Sequence, residues 1–175
     1  ESMIRTAYKV GVAVLLGAGV GAQVRAAEIG YAEGTEVIAS DKVDIYVEDK
    51  ASGRMVSVGS NKSRFVRETK GTGLFHNLAK SCSPAVWDLI RGTGTGAGYC
   101  KAARGADSYV LEFNGYCATL VGADSKPNTK CSGAWKLLAA AGTGKFAGVD
   151  GVGQWWGQFN EAGEFEEQWN AHYQK

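Results

Sequence analysis

The stretch "AAAGTGKFAGVDGVGQWWGQF", residues 139 to 159, decides the reading of the chain. Gly142, Gly144 and Lys145 together suggest a loop that cradles phosphate. A P-loop needs G-x-x-x-x-G-K-[ST], so that its backbone amides and a hydroxyl converge on phosphate and magnesium. Counting back from Gly144 finds Ala139 where the first glycine belongs, and Phe146 stands in place of the hydroxyl. The residues that follow, "VDGVGQWWGQF", carry too many glycines and aromatics to open a helix. A dinucleotide fingerprint fails as well, because Gly142, Gly144 and Gly148 are one residue too widely spaced. The glycines are therefore structural: "WKLLAAA" enters a compact turn, and "GVGQWWGQF" leaves it as the next strand.

Working outward, the hydrophobic period is two nearly everywhere. "SYVLEFNGYCATLVG" sets Tyr109, Leu111 and Phe113 on one face. "EFEEQWNAHYQ" sets Phe165, Trp169, Ala171 and Tyr173 against Glu164, Glu166, Gln168, Asn170 and His172. "KVDIYVED", "RMVSVGS" and "SRFVRETKG" also read as extended. Glycine-rich breaks at 70–73, 92–98, 122–128 and 141–148 separate short strands, the pattern of an all-β barrel or sandwich. One segment, "SPAVWDLIRG" at 83–92, reads as one or two helical turns, since Ser-Pro is an acceptable helix start.

The chain has 175 residues and a formal net charge of +1, with no basic run beyond pairs, which argues against nucleic acid as a partner. Glu1-Ser2 before Met3 read as a cloning remnant. Arg5 and Lys9 then precede the apolar run "VGVAVLLGAGVGA", and "VRA" offers Val24 and Ala26 at a cleavage site. These are the parts of a secretory signal or hydrophobic helix over residues 1–26. A permanent span wants about 18 or more apolar residues. Residues 27–175 then form one β-barrel domain, exported to the periplasm or beyond. Its four cysteines, Cys82, Cys100, Cys117 and Cys131, read as two disulfides. Cys82–Cys100 with Cys117–Cys131 is the preferred pairing, because each closes a short loop between neighbouring strands. A zinc site has no C-x-x-C pair to build on, and no metal or cofactor is expected.

A family resemblance attaches to these residues. "AGTGKFAGVDGVGQWWGQ", residues 141–158, resembles the "GGTGkfaGatGxg" signature of the allene oxide cyclase-like barrel superfamily. That group includes plant allene oxide cyclases, dirigent proteins and many secreted bacterial proteins. "GTGAGYC", "GADSYVLEFNG" and "CSGAWKL" are similar to strands flanking the signature, so the resemblance covers roughly residues 70 to 160. It implies an eight-stranded antiparallel barrel, often trimeric, with a greasy lumen that works without cofactors. Plant cyclases use a glutamate on an early strand; Glu33, Glu36 and Glu48 lie in that third, but no matching motif surrounds them, and no catalytic residue carries over.

Four residues stand as ligand-site candidates. Glu112 either faces the lumen, where burial would raise its pKa, or faces solvent as an ordinary strand carboxylate. His76 either lines the cavity mouth or hydrogen-bonds at a strand edge. Trp155 and Trp156 must point to opposite faces of one strand, so one enters the core. The other meets solvent, a ligand or a second copy in a homo-oligomer, dimer or trimer. The expected function is a disulfide-stapled barrel that binds a small apolar molecule or a protein partner without catalysis. The alternatives are a cofactor-free, cavity-templated cyclase or dirigent-like factor, and a structural subunit of an envelope assembly, anchored if the leader is retained.

Overall fold

A computed structural model describes residues 27–121 and 127–175; the expected signal segment, residues 1–26, lies outside the described residues. Eight strands follow one another: β1 (Ile29–Asp49), β2 (Arg54–Glu68), β3 (Leu78–Ile90), β4 (Thr93–Arg104), β5 (Asp107–Val121), β6 (Pro127–Leu137), β7 (Asp150–Phe159) and β8 (Phe165–Gln174). Each pairs antiparallel with the next, and β1 pairs with β8 from Ile29 to Ile38, closing one sheet into a barrel. Closure removes the sheet edges along this paired stretch.

Alternation sorts the side chains as the period of two requires. On β8, Phe165, Trp169 and Ala171 are buried, while Glu166, Gln168 and His172 are exposed. On β5, Tyr109 and Leu111 are buried beside the half-buried Phe113. Both disulfides form as expected, Cys82–Cys100 and Cys117–Cys131. Each bridges directly paired residues of adjacent strands, and all four sulfurs lie on the inner face.

Two expectations need correction. The segment 83–92 is not helical; it is the upper half of β3, continuing into the turn at Arg91–Gly92. Ser83-Pro84 occupy a register shift between the pairs Cys82↔Cys100 and Ala85↔Gly98. Proline has no N–H to give the ladder, and a bulge accommodates it without ending the strand. Of the glycines of 92–98, Gly92 lies in the turn that separates β3 from β4, whereas Gly94, Gly96 and Gly98 do not break the chain but build β4. Gly96 turns inward, and a Cβ there would lie 2.2 Å from Cε3 of Trp87, so the absent side chain gives that indole its seat.

The stretch quoted at the outset behaves as a compact connection. Two short 3-10 turns, Ala139–Ala141 and Gly144–Phe146, lead from β6 to β7. Gly144 has φ +58°, the left-handed region that glycine enters freely. The Lys145 amide points at the chain's own carboxylate, donating to Asp107 Oδ1 at 2.9 Å. Phe146, in the motif position a P-loop would give to a hydroxyl, is instead buried in the barrel end.

That end is plugged. The β2–β3 loop inserts Phe75 and the β6–β7 connection inserts Phe146 and Val149, all buried. Phe75 packs at 5.5 Å from Phe146 and Tyr173, 5.6 Å from Tyr109 and 5.8 Å from Trp169, mostly edge to face. Its amide is fixed by Glu68 Oε1 at 2.6 Å. Phe75→Ala should lower the unfolding free energy by about 3–5 kcal/mol, the cost of removing a buried aromatic. Urea unfolding followed by tryptophan fluorescence measures it, and a loss under about 1 kcal/mol would show that Phe75 does not hold the plug.

Candidate functional site

Above the plug, the lumen encloses a cavity of about 310 Å³. Its wall is mostly apolar, built by the two disulfides and by Trp87, Phe113, Trp155 and Phe165. The lining reaches Val43, Leu89, Thr129 and Phe159 near the far ends of their strands, where Val43 and Phe159 are half-exposed and mark the mouth.

Three charged side chains break this greasy wall. Glu36 on β1 and Glu167 on β8 stand directly opposite one another in the closing strand pair and both face inward. Like charges in that position repel. Lys80 on β3 reaches between them, pairing with Glu36 and lying 3.3 Å from Glu167. It crosses β2 above Ser63, its strand partner, whose small side chain leaves room. A bulge on β2 between Ser63 and Val66 adds one residue, so that both turn inward. All three charged groups are at least nine-tenths buried.

The electrostatics follow from that burial. Desolvation is the main cause pushing the Glu167 carboxyl up to about 8; Lys80 opposes the shift, and Glu36 reinforces it by charge and hydrogen bonding. Burial also works against the charge of Lys80, but Glu167 and then Glu36 outweigh it, and its pKa rises above the ordinary lysine range. Burial raises the phenol of Tyr109, with Lys80 opposing. One carboxylate oxygen, Glu36 Oε2, is buried without a hydrogen-bond partner, as are Ser63 Oγ and Trp169 Nε1. An orphan acceptor in an apolar cavity is costly, and a ligand donor relieves it.

The structure divides the four sequence candidates. Trp155 faces the lumen and lines the cavity, with its Nε1 donating to the Asn114 carbonyl at 3.2 Å. Trp156 faces outward, 40% exposed, and donates to Gln168 Oε1. Glu112 is also outward and exposed, beside Lys136 in a shallow depression of the outer wall. Its neighbours Leu111 and Phe113 take the inner positions, so alternation leaves Glu112 none. His76 sits in the plug loop, half-buried, where its Nδ1 accepts from the Glu68 amide at 3.3 Å; it does not line the cavity. Among the described residues no group of three His, Cys, Asp or Glu side chains is placed to hold a metal ion.

No protein-family model and no curated protein matches the chain. The site therefore speaks through its own geometry.

Of the charged cluster, Glu36 was visible as an early-strand glutamate, but Glu167 and Lys80 were missed. The signal for Glu167 was parity: it shares its face with Phe165 and Trp169. In "LAKSC", Lys80 likewise shares its face with Leu78 and Cys82, both buried.

The raised Glu167 value fixes a pH dependence. An unfolded glutamate releases its proton near 4.3, whereas the folded chain holds it to about 8. Between those values the folded state binds the extra proton, so stability falls as pH rises across that window. Thermal unfolding midpoints should fall from pH 5 to pH 8, and Glu167→Gln should flatten the decline. An undiminished slope in Glu167→Gln would place its origin elsewhere.

Proposed function

We propose that the chain is an exported, disulfide-stapled barrel that binds one small, largely apolar molecule in its lumen. The observation carrying this reading is the aromatic cavity of about 310 Å³, plugged at one end and reached from the other. That volume sits at the lower end of the range for small-molecule sites, and an eight-stranded barrel is just wide enough to hold one such ligand. Two buried disulfides agree with an oxidising compartment. The resemblance of residues 141–158 to the allene oxide cyclase-like superfamily supports the same architecture.

The reading is tested with N-phenyl-1-naphthylamine, whose emission rises in apolar sites. Saturable binding of one dye per chain is expected, and Leu89→Trp, which fills the cavity near its mouth, should reduce affinity at least tenfold while leaving the circular dichroism intact. Unsaturable binding, or binding indifferent to Leu89→Trp, would refute it.

A second reading, a cofactor-free cavity-templated cyclase or dirigent-like factor, is favoured by one observation. Glu36 stands on the first strand and faces Glu167 across the closing strand pair, which puts a protonated carboxyl and a Lys80-paired carboxylate in one water-poor cavity. Such a pair supplies acid and base without a cofactor. Under this reading, protein incubated with unstable allylic epoxides or phenoxy radicals yields products with enantiomeric excess that Glu36→Gln diminishes. Racemic products throughout eliminate it for those substrates.

A further inference from the structure

Resting on the lumen-binding reading, the charge count inside the barrel narrows the ligand. Glu36, Lys80 and Glu167 are the charged residues lining the cavity among those described: two acids and one base. Lys80 already pairs with both carboxylates, so its charge is spent on them and an anion would enter beside two acids. What is left over is negative. It includes Glu36 Oε2, a buried acceptor that no protein N–H group reaches. Around the cluster stand aromatic faces: Phe165 and Trp169 flank Glu167 on its own strand. Trp155 lies 5.9 Å from Phe165 and 6.4 Å from Trp87. Carboxylate and aromatic faces together are the chemistry that holds an organic cation.

We propose that the lumen selects a small organic ammonium ion, its charged group against Glu36 and Glu167 and its apolar body among Trp87, Phe113, Trp155 and Phe165. In the free protein the surplus charge is cancelled by the proton on Glu167, which burial retains to about pH 8. An entering ammonium takes over that role: Glu167 releases its proton to solvent, and the N–H groups of the ligand replace the Glu167 O–H as donors to the carboxylate pair. Charge inside the barrel is the same before and after, so no net ion is buried. The groups that set this exchange are Lys80 of β3, Glu36 of β1 and Tyr109 of β5, while Glu68 of β2 and His76 of the plug loop bond within the plug and do not line the cavity. The lumen-facing residues of β4, β6 and β7 in the cavity wall are apolar, disulfide-bonded or hydroxyl-bearing.

Titration calorimetry of the full chain with 2-phenylethylammonium, 2-phenylethanol and 3-phenylpropionate tests the proposal, since the three share a body and differ in charge. At pH 7 the ammonium should bind at least tenfold tighter than the alcohol, and the carboxylate weakest. Between pH 6 and pH 8 ammonium affinity should rise roughly tenfold or more, as release of about one proton per site requires. Runs in buffers of different ionisation heat count that proton. Glu167→Gln should abolish both the proton release and the pH dependence. If that variant does not fold, the three-probe comparison and the proton count on the wild-type chain decide alone. Equal binding of ammonium and alcohol, or preference for the carboxylate, overturns the cation assignment while leaving the lumen reading standing, and preferred ammonium binding without proton release overturns the exchange at Glu167. If none of the three binds, both fail.

Discussion

The ammonium of Lys80 is the point on which the interior depends. Strand pairing forces Glu36 and Glu167 to face each other inside the barrel, and two carboxylates cannot both ionise there without a cation between them. Lys80 reaches that point from two strands away, across the small Ser63. Buried ion pairs are seldom the most stable solution for a core; well-packed apolar residues of similar volume often do as well or better. Removing one partner is a different matter, because it leaves a charge uncompensated, at a cost of about 3–5 kcal/mol. Stability alone gives little reason to place three ionisable side chains here. The proposed ligand is one reason for their presence.

The cavity exists because side-chain size changes along the barrel axis. Toward the plug, Phe75, Tyr109, Phe146, Trp169 and Tyr173 interlock and leave no comparable space. Nearer the mouth the inner positions go to Cys82, Cys100, Cys117, Cys131, Ser57 and Ala85, all short. The disulfides thus do two things at once: they tie adjacent strands together and keep the lumen wall thin. Large indoles fit into the same layer because glycines on neighbouring strands make room. Trp87 lies over Gly96, and Trp155 over Gly115, where a Cβ would come within 2.2 Å of the ring.

Much of the fold was legible because it rests on local rules. Alternation on β5 and β8, glycine at the turns and the close spacing of paired cysteines all act within one or two strands. The failures have local causes too. Gly94, Gly96 and Gly98 look like a flexible break until Trp87 and the main chain of β3 are seen pressed against them. Proline at 84 suggested a helix start because its bulge cannot be told from a cap without the partner strand. The charged cluster was hidden for a deeper reason. Lys80 meets partners 44 and 87 positions away, and no window of sequence contains them together. Parity could have placed Glu167 among the aromatics, yet in "EFEEQ" three glutamates in four residues look like one solvated run.

The location of the cluster also explains why the barrel tolerates it. Glu36, Lys80 and Glu167 lie between the dense plug and the open half of the lumen, so each borders the cavity instead of being enclosed by packed carbon. A proton can then serve as the fourth member of the cluster, present on Glu167 in the free protein up to about pH 8. Deeper in the plug, the same surplus charge would have no space beside it for a ligand to replace that proton. Nearer the mouth, water would solvate both carboxylates, and Glu167 would not retain its proton much above the ordinary range. At the boundary between packed and empty lumen, burial shifts the Glu167 carboxyl upward and space remains beside it.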